Sequence, residues 1–118
     1  MKKTLATILK VTALAGIAFT AMSCGSTKRL YYWSSYQESY YRSIRKDDAK
    51  LLQTIYKRMV EKPAGLRGVV PPGIYAEYGW LLIQTGDIEK GTEMLKKEIE
   101  LYPESEVFIR SVLKEYEK

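Results

Sequence analysis

Histidine is absent from this 118-residue chain, and cysteine occurs once, at position 24. A disulfide within the chain, a zinc site and acid–base catalysis through imidazole are thereby excluded, and no cofactor or metal is expected. No stretch alternates apolar and polar residues in the way a strand requires. Long apolar runs are missing too: the best is residues 11–22, twelve residues (VTALAGIAFTAM), too short to span a bilayer as a permanent helix. What the chain has in quantity is tyrosine, ten residues, with two tryptophans. Tyr31, Tyr32, Trp33, Tyr36, Tyr40 and Tyr41 stand close together, and such side chains suit small cores, interfaces and membrane edges alike.

Lys2, Lys3 and Lys10 precede and bound the twelve-residue run, the order of an export signal. Ala21-Met22-Ser23-Cys24 follows. It resembles the lipobox of bacterial lipoproteins, where small residues admit the signal peptidase and the cysteine thiol accepts diacylglycerol. Ala21 stands in place of the usual leucine, and Met22 is bulkier than the common residue. A conventional cleavable signal with an incidental cysteine, or an uncleaved anchor, are the competing readings. The resemblance implies a signal peptide over residues 1–23, a lipid on Cys24 and a tether over residues 24–30. By lipoprotein sorting rules, the absence of aspartate after Cys24 implies the outer membrane of a Gram-negative cell, with the domain facing the periplasm.

Removing the first 23 residues leaves 95, enough for one small domain, residues 31–118. The formal charge then falls from +5 to sixteen Lys/Arg against fourteen Asp/Glu, too weak a balance to argue for nucleic acid. Its distribution is uneven. Residues 24–70 carry ten Lys/Arg against four Asp/Glu, and residues 71–118 six against ten. The basic half fits an anionic surface at close range, and ordinary solvated helix faces account for it as well.

Five helices follow from periodicity. Tyr32, Tyr36, Tyr40 and Ile44 recur every four residues and predict a helix over 33–45. Asp47 and Asp48 offer a cap to a second, with Leu51, Leu52, Ile55, Met59 and Val60 on one face and Pro63 at its end. Residues 64–71 (AGLRGVVP) read as loop. Pro72 can occupy the first turn of a third helix, because its missing N–H would be unpaired there. Pro71-Pro72 as a polyproline ligand lacks a repeated spacing. Tyr75, Tyr78, Leu81 and Leu82 face inward on this third helix, which runs to Gln84 or Thr85. Gly86-Asp87 turns into a fourth helix with Ile88, Met94, Leu95, Ile99 and Leu101, stopped by Pro103. Val107, Phe108, Val112 and Leu113 supply the apolar face of a fifth. The expected fold is all-α.

Residues 75–103 also carry a spaced series: Tyr75, Tyr78, Gly79, Leu82, Gly86, Gly91, Leu95, Pro103. It resembles the tetratricopeptide repeat, in which two helices cross closely at small residues and reverse at a glycine. Gly79 and Gly91 would face each other at the crossing. Gly91 replaces the usual alanine, and Glu98 stands where a second small residue is common; a generic helical hairpin is the plainer alternative. Asp47 and Pro63 are sixteen residues apart, as are Asp87 and Pro103, an echo of a degenerate first repeat, with the last helix as cap.

Leu30-Tyr31-Tyr32-Trp33, Tyr36, Pro71-Pro72-Gly73, Tyr78-Gly79, Gly86-Asp87 and Tyr102-Pro103-Glu104-Ser105 together resemble a family of small, functionally uncharacterised bacterial lipoproteins. The resemblance implies envelope partners, among them other lipoproteins of a secretion or assembly complex, one similar to the curli-secretion pore. The expected function is a non-catalytic protein-binding or assembly module anchored to the membrane through Cys24. Ala76, Trp80 and Ile83, flanked by Glu77 and Gln84, are the expected partner-binding residues on the open side of the third helix, with Trp80 as either anchor or core filler. A purely structural subunit of an envelope lipoprotein complex is the second reading. A carboxylate enzyme using Glu93 and Glu98 is the third, and charges on an amphipathic helix are usually its solvated face.

Overall fold

The computed structural model describes residues 1–21 and 28–117, so Cys24 lies outside the described residues. Among these, the regular elements are six α-helices and one 3-10 turn with no strand, the all-α class expected. Helix α1 (Lys2–Ala21) covers most of the expected export segment. No helix among the described residues is long and apolar enough to cross a membrane. The packed part consists of α2 (Tyr36–Lys46), α3 (Ala49–Glu61), α4 (Ile74–Gln84), α5 (Ile88–Leu101) and α6 (Glu106–Tyr116), with the 3-10 turn Pro103–Ser105 before α6. Each of these helices packs on the next in chain order, α4 on α5 most extensively.

Local chemistry sets the boundaries. Asp47 takes a left-handed conformation (φ 50°, ψ 41°) and ends α2, and the Asp48 carboxylate then accepts the N–H of Leu51 at 3.1 Å to cap α3. Asp48 rather than Asp47 therefore matches Asp87, whose carboxylate caps α5 by accepting the N–H of Lys90 at 3.2 Å. The echo between the two hairpins shifts by one residue accordingly. Helix α4 begins two residues later than expected. Gly73 has φ +89°, outside helical space, which keeps Pro72 out of the first turn. Pro71 is fully buried and is not presented as a ligand.

Two apolar clusters hold the helices. Ile55, Tyr56 and Met59 of α3 meet Ile74, Tyr78 and Leu82 of α4 and Met94 of α5, with Val70 from the preceding loop. Ile83, Leu95, Ile109 and Leu113 form the second cluster among α4, α5 and α6. Between them α4 and α5 come together at glycine. A Cβ placed on Gly79 would stand 2.7 Å from the Gly91 carbonyl oxygen, and one on Gly91 would stand 2.6 Å from that of Gly79. Backbone fills the space a side chain would need.

Two helices turn a different side inward than their apolar spacing predicts. On α2 the buried residues are Ser39 and Ser43, while Tyr40, Tyr41 and Ile44 are exposed. On α6, Ile109 and Leu113 are buried; Val107 and Phe108 are exposed, the latter at 71 %. The inward stripe of α6 is the i, i+4 pair, which excludes the two residues immediately before it.

The segment ahead of α2 is fastened. The N–H of Tyr32 donates to the Ala64 carbonyl (3.2 Å), and the N–H groups of Leu66 and Arg67 donate to the carbonyls of Arg29 (3.1 Å) and Leu30 (3.0 Å). Arg67 adds a hydrogen bond to the Tyr31 hydroxyl at 2.6 Å. Arg29 and Leu30, the last residues of the expected tether, thus lie against the loop between α3 and α4.

Candidate functional site

Helix α4 is apolar on nearly every side, so it cannot hide all of itself between α3 and α5. The surplus faces α6. Ala76, Glu77 and Trp80 of α4, Leu95 of α5, and Phe108, Ile109 and Val112 of α6 line an open groove of about 300 Å³. Leu95 and Ile109 are buried beneath it, whereas Trp80 is 42 % exposed. The Trp80 indole meets the Tyr116 ring edge-on, with centroids 6.4 Å apart. This places Trp80 beside α6, and not against α3 where a core filler would pack.

Glu77 gives the groove its charged member, and its carboxylate is fixed from below. The hydroxyls of Tyr36 and Tyr56 both donate to Glu77 Oε2, at 2.7 Å and 2.5 Å. Burial first, and the adjacent carboxylate second, push both phenols above the ordinary tyrosine range, so they remain protonated donors. Their rings stack toward one another at 6.0 Å between centroids. The groove therefore presents an apolar floor and two aromatic walls, with the Glu77 carboxylate at its edge turned toward the tyrosines of α2 and α3.

Of the five residues expected to bind a partner, Ala76, Glu77 and Trp80 come together here. Ile83 does not. It is 8 % exposed and sits in the second core cluster, because it lies one turn beyond Gly79 on the stripe that rests on Gly91. Gln84 is exposed at the end of α4 and outside the groove lining. Phe108, Val112, Leu95 and Ile109 are the contributors that sequence reasoning missed. The spacing of Ile109 and Leu113 was the available signal, since it turns Phe108 and Val112 toward α4.

The two carboxylates weighed for catalysis are not a pair. Glu93 is on the surface, ion-paired with Lys97 at 2.8 Å, which holds its carboxyl below the ordinary range. Glu98 is buried and accepts the N–H groups of Gly73 (2.7 Å) and Ala76 (3.3 Å). It serves the start of α4 as a cap supplied from α5. No group of three or more metal-ligating side chains is gathered among the described residues.

A family model matches this chain over residues 30–112, well over half its length. The chain belongs to the family described as a domain of unknown function (DUF4810). An uncharacterised family is what the motif series implied, and one is what the match shows. The DUF4810 match takes in every residue of the groove, together with the aromatic segment before α2. No curated protein and no solved structure matches the chain.

Proposed function

We propose that this protein is a non-catalytic binding module of the bacterial envelope, anchored by a lipid on Cys24 in the outer membrane and facing the periplasm. Its groove between α4 and α6 receives an apolar side chain of a partner protein, other lipoproteins of a secretion or assembly complex included. The hairpin of α4 and α5 acts as a tetratricopeptide-like unit, its close crossing at Gly79 and Gly91 supporting that reading. The observation that carries the proposal is the groove itself. Trp80 and Phe108 remain exposed across an apolar floor beside a carboxylate whose position two tyrosines fix. Aromatic anchors framed by a few oriented polar groups are how partner surfaces concentrate affinity. Residues 71–118 are acidic, with ten Asp/Glu against six Lys/Arg, which favours a partner bringing a basic residue next to Glu77.

The test is cross-linked purification of the intact protein from envelopes, with Trp80→Ala, Phe108→Ala and Ile88→Ala compared to the parent. Ile88 is exposed and lies outside the groove. Trp80→Ala and Phe108→Ala should each lose the captured partner while Ile88→Ala keeps it. Trp80→Ala should cost about 2 kcal/mol of stability, since it surrenders an edge-on aromatic contact and the apolar area that the half-covered ring buries, against the roughly 3 to 5 kcal/mol of a core tryptophan. Capture that survives both groove substitutions would place the binding surface elsewhere.

A further inference from the structure

The groove leaves a second uncovered surface unexplained. Ile44 is 66 % exposed, and Leu30, Tyr32, Trp33, Tyr40 and Tyr41 are exposed with it. The Trp33 and Tyr36 rings lie 5.7 Å apart, as do those of Tyr36 and Tyr40, joining the lead-in segment to the helix. Along α2, Tyr40, Tyr41 and Ile44 follow at spacings of one and three, next to the side that Ser39 and Ser43 bury. Arg42, Arg45 and Lys46 bring positive charge to α2, where Arg42 is ion-paired with Glu38 at 2.5 Å and Asp47 and Asp48 follow the helix, so Arg45 is the cation that borders Tyr41. The Arg45 guanidinium lies 5.1 Å from the Tyr41 ring centroid. Lys28 and Arg29 add two more positive charges just ahead of Leu30.

Each part of this surface matches a layer of an anionic bilayer surface. The boundary of the acyl region takes Ile44 and the rings, headgroups accept hydrogen bonds from the phenols and indole, and lipid phosphates offset the arginines and lysines. A protein partner would have to supply acidic residues around an aromatic-lined recess to do the same. Chain length agrees. Three residues separate Cys24 from Lys28, and the four Cα-to-Cα steps between them, fully extended, span at most about 14 Å.

We propose that the exposed aromatic and basic face formed by α2 and the segment before it lies on an anionic phospholipid surface. This rests on the reading of Cys24 as the anchor for its proximity to lipid, and it makes the face a second point of membrane contact. The domain is then held in one orientation instead of swinging on a tether.

The chain has two tryptophans, so Trp80→Phe leaves Trp33 as the only indole reporter, and Trp33→Phe leaves Trp80. The processed protein, its acylation read by mass, is reconstituted into vesicles of phosphatidylethanolamine and phosphatidylglycerol whose chains carry bromine. Trp33 emission should shift to the blue and be quenched, and Trp80 should show neither change. Combined Arg42→Glu, Arg45→Glu and Lys46→Glu should abolish the Trp33 shift and quenching, while the protein still floats with the vesicles through its lipid. Vesicles of phosphatidylcholine alone should give the same loss. Trp33 emission unchanged from that in detergent would overturn the proposal, as would quenching that persists after charge reversal. A mass without acyl chains would remove the anchor reading instead, and Trp33 quenching by the anionic vesicles in that unacylated protein would still uphold the face.

Discussion

Glu98 shows how one residue replaces a general solution with a private one. The repeat pattern asks for a small side chain at this place, and the chain supplies a carboxylate that is 2 % exposed and reaches the N–H groups that open α4. Gly73 cannot cap that helix with a side chain, so α5 does it. Glu98→Ala should therefore leave two buried donors without an acceptor and cost roughly 2 to 4 kcal/mol in a denaturant melt. The charge state has its own signature. Burial raises the Glu98 carboxyl above its ordinary range, against the lowering effect of the Gly73, Ala76 and Tyr75 N–H groups. A carboxyl with a raised folded-state value binds its proton more tightly when folded, so its contribution falls as pH rises through that value. Compared with Glu98→Gln, which does not titrate, the parent should gain stability as pH falls through the raised value toward the ordinary glutamate value of about 4.3, and level off below it. A stability difference that stays flat over this range would show that Glu98 titrates as a solvated glutamate.

At the scale of elements, the crossing of α4 and α5 decides the geometry of the groove, since it fixes Trp80 of α4 relative to Leu95 of α5. Gly79→Ala sets two known effects against each other. Alanine is the better helix former by about 1 kcal/mol, but its Cβ would meet the Gly91 carbonyl at 2.7 Å, and overpacking of a close contact costs about 1 to 3 kcal/mol. The obstacle is backbone, which cannot rotate aside, so thermal melting should show net destabilisation. A higher melting temperature would mean that the helices have room to separate. The number of packed helices, their proline and glycine stops, and the aspartates at their starts were legible from residues alone because those signals are local. Which side a helix buries was legible in the middle of helices that neighbours flank on both sides, as with Ile55, Met59, Tyr78 and Leu82, whereas Ile88 and Leu101 at the two ends of α5 are exposed. The end helices α2 and α6 each have one main neighbour, and there the apolar residues outnumber the places available. Ile44 and Phe108 belong to the apolar series of those helices and stand outside, and Tyr40, open between core and interface by its sequence, stands outside with them. The groove was half legible: Ala76, Glu77 and Trp80 follow from helix phase, while the α6 wall depends on how α6 folds back over α4, a long-range fact that no local spacing carries.

For the molecule as a whole, the two proposals give the uncovered surfaces unlike partners, lipid for the basic front half and protein for the acidic back half. The anchor can be separated from both. Cys24→Ala should move the protein out of the membrane fraction into an unprocessed or soluble form, and a labelled fatty acid should be incorporated by the parent alone. Label retained after Cys24→Ala would move the acylation site to another residue.

The three backbone hydrogen bonds between residues 29–32 and 64–67 bear on how such a protein carries load. For a chain tethered at its front end, a pull from the membrane reaches Arg29 and Leu30 first and passes across those bonds into the loop that leads to α4. Were Cys24 the anchor, tension from it would reach the loop before the helix that bears Trp80 without first unwinding α2, which would couple the proposed groove mechanically to the membrane.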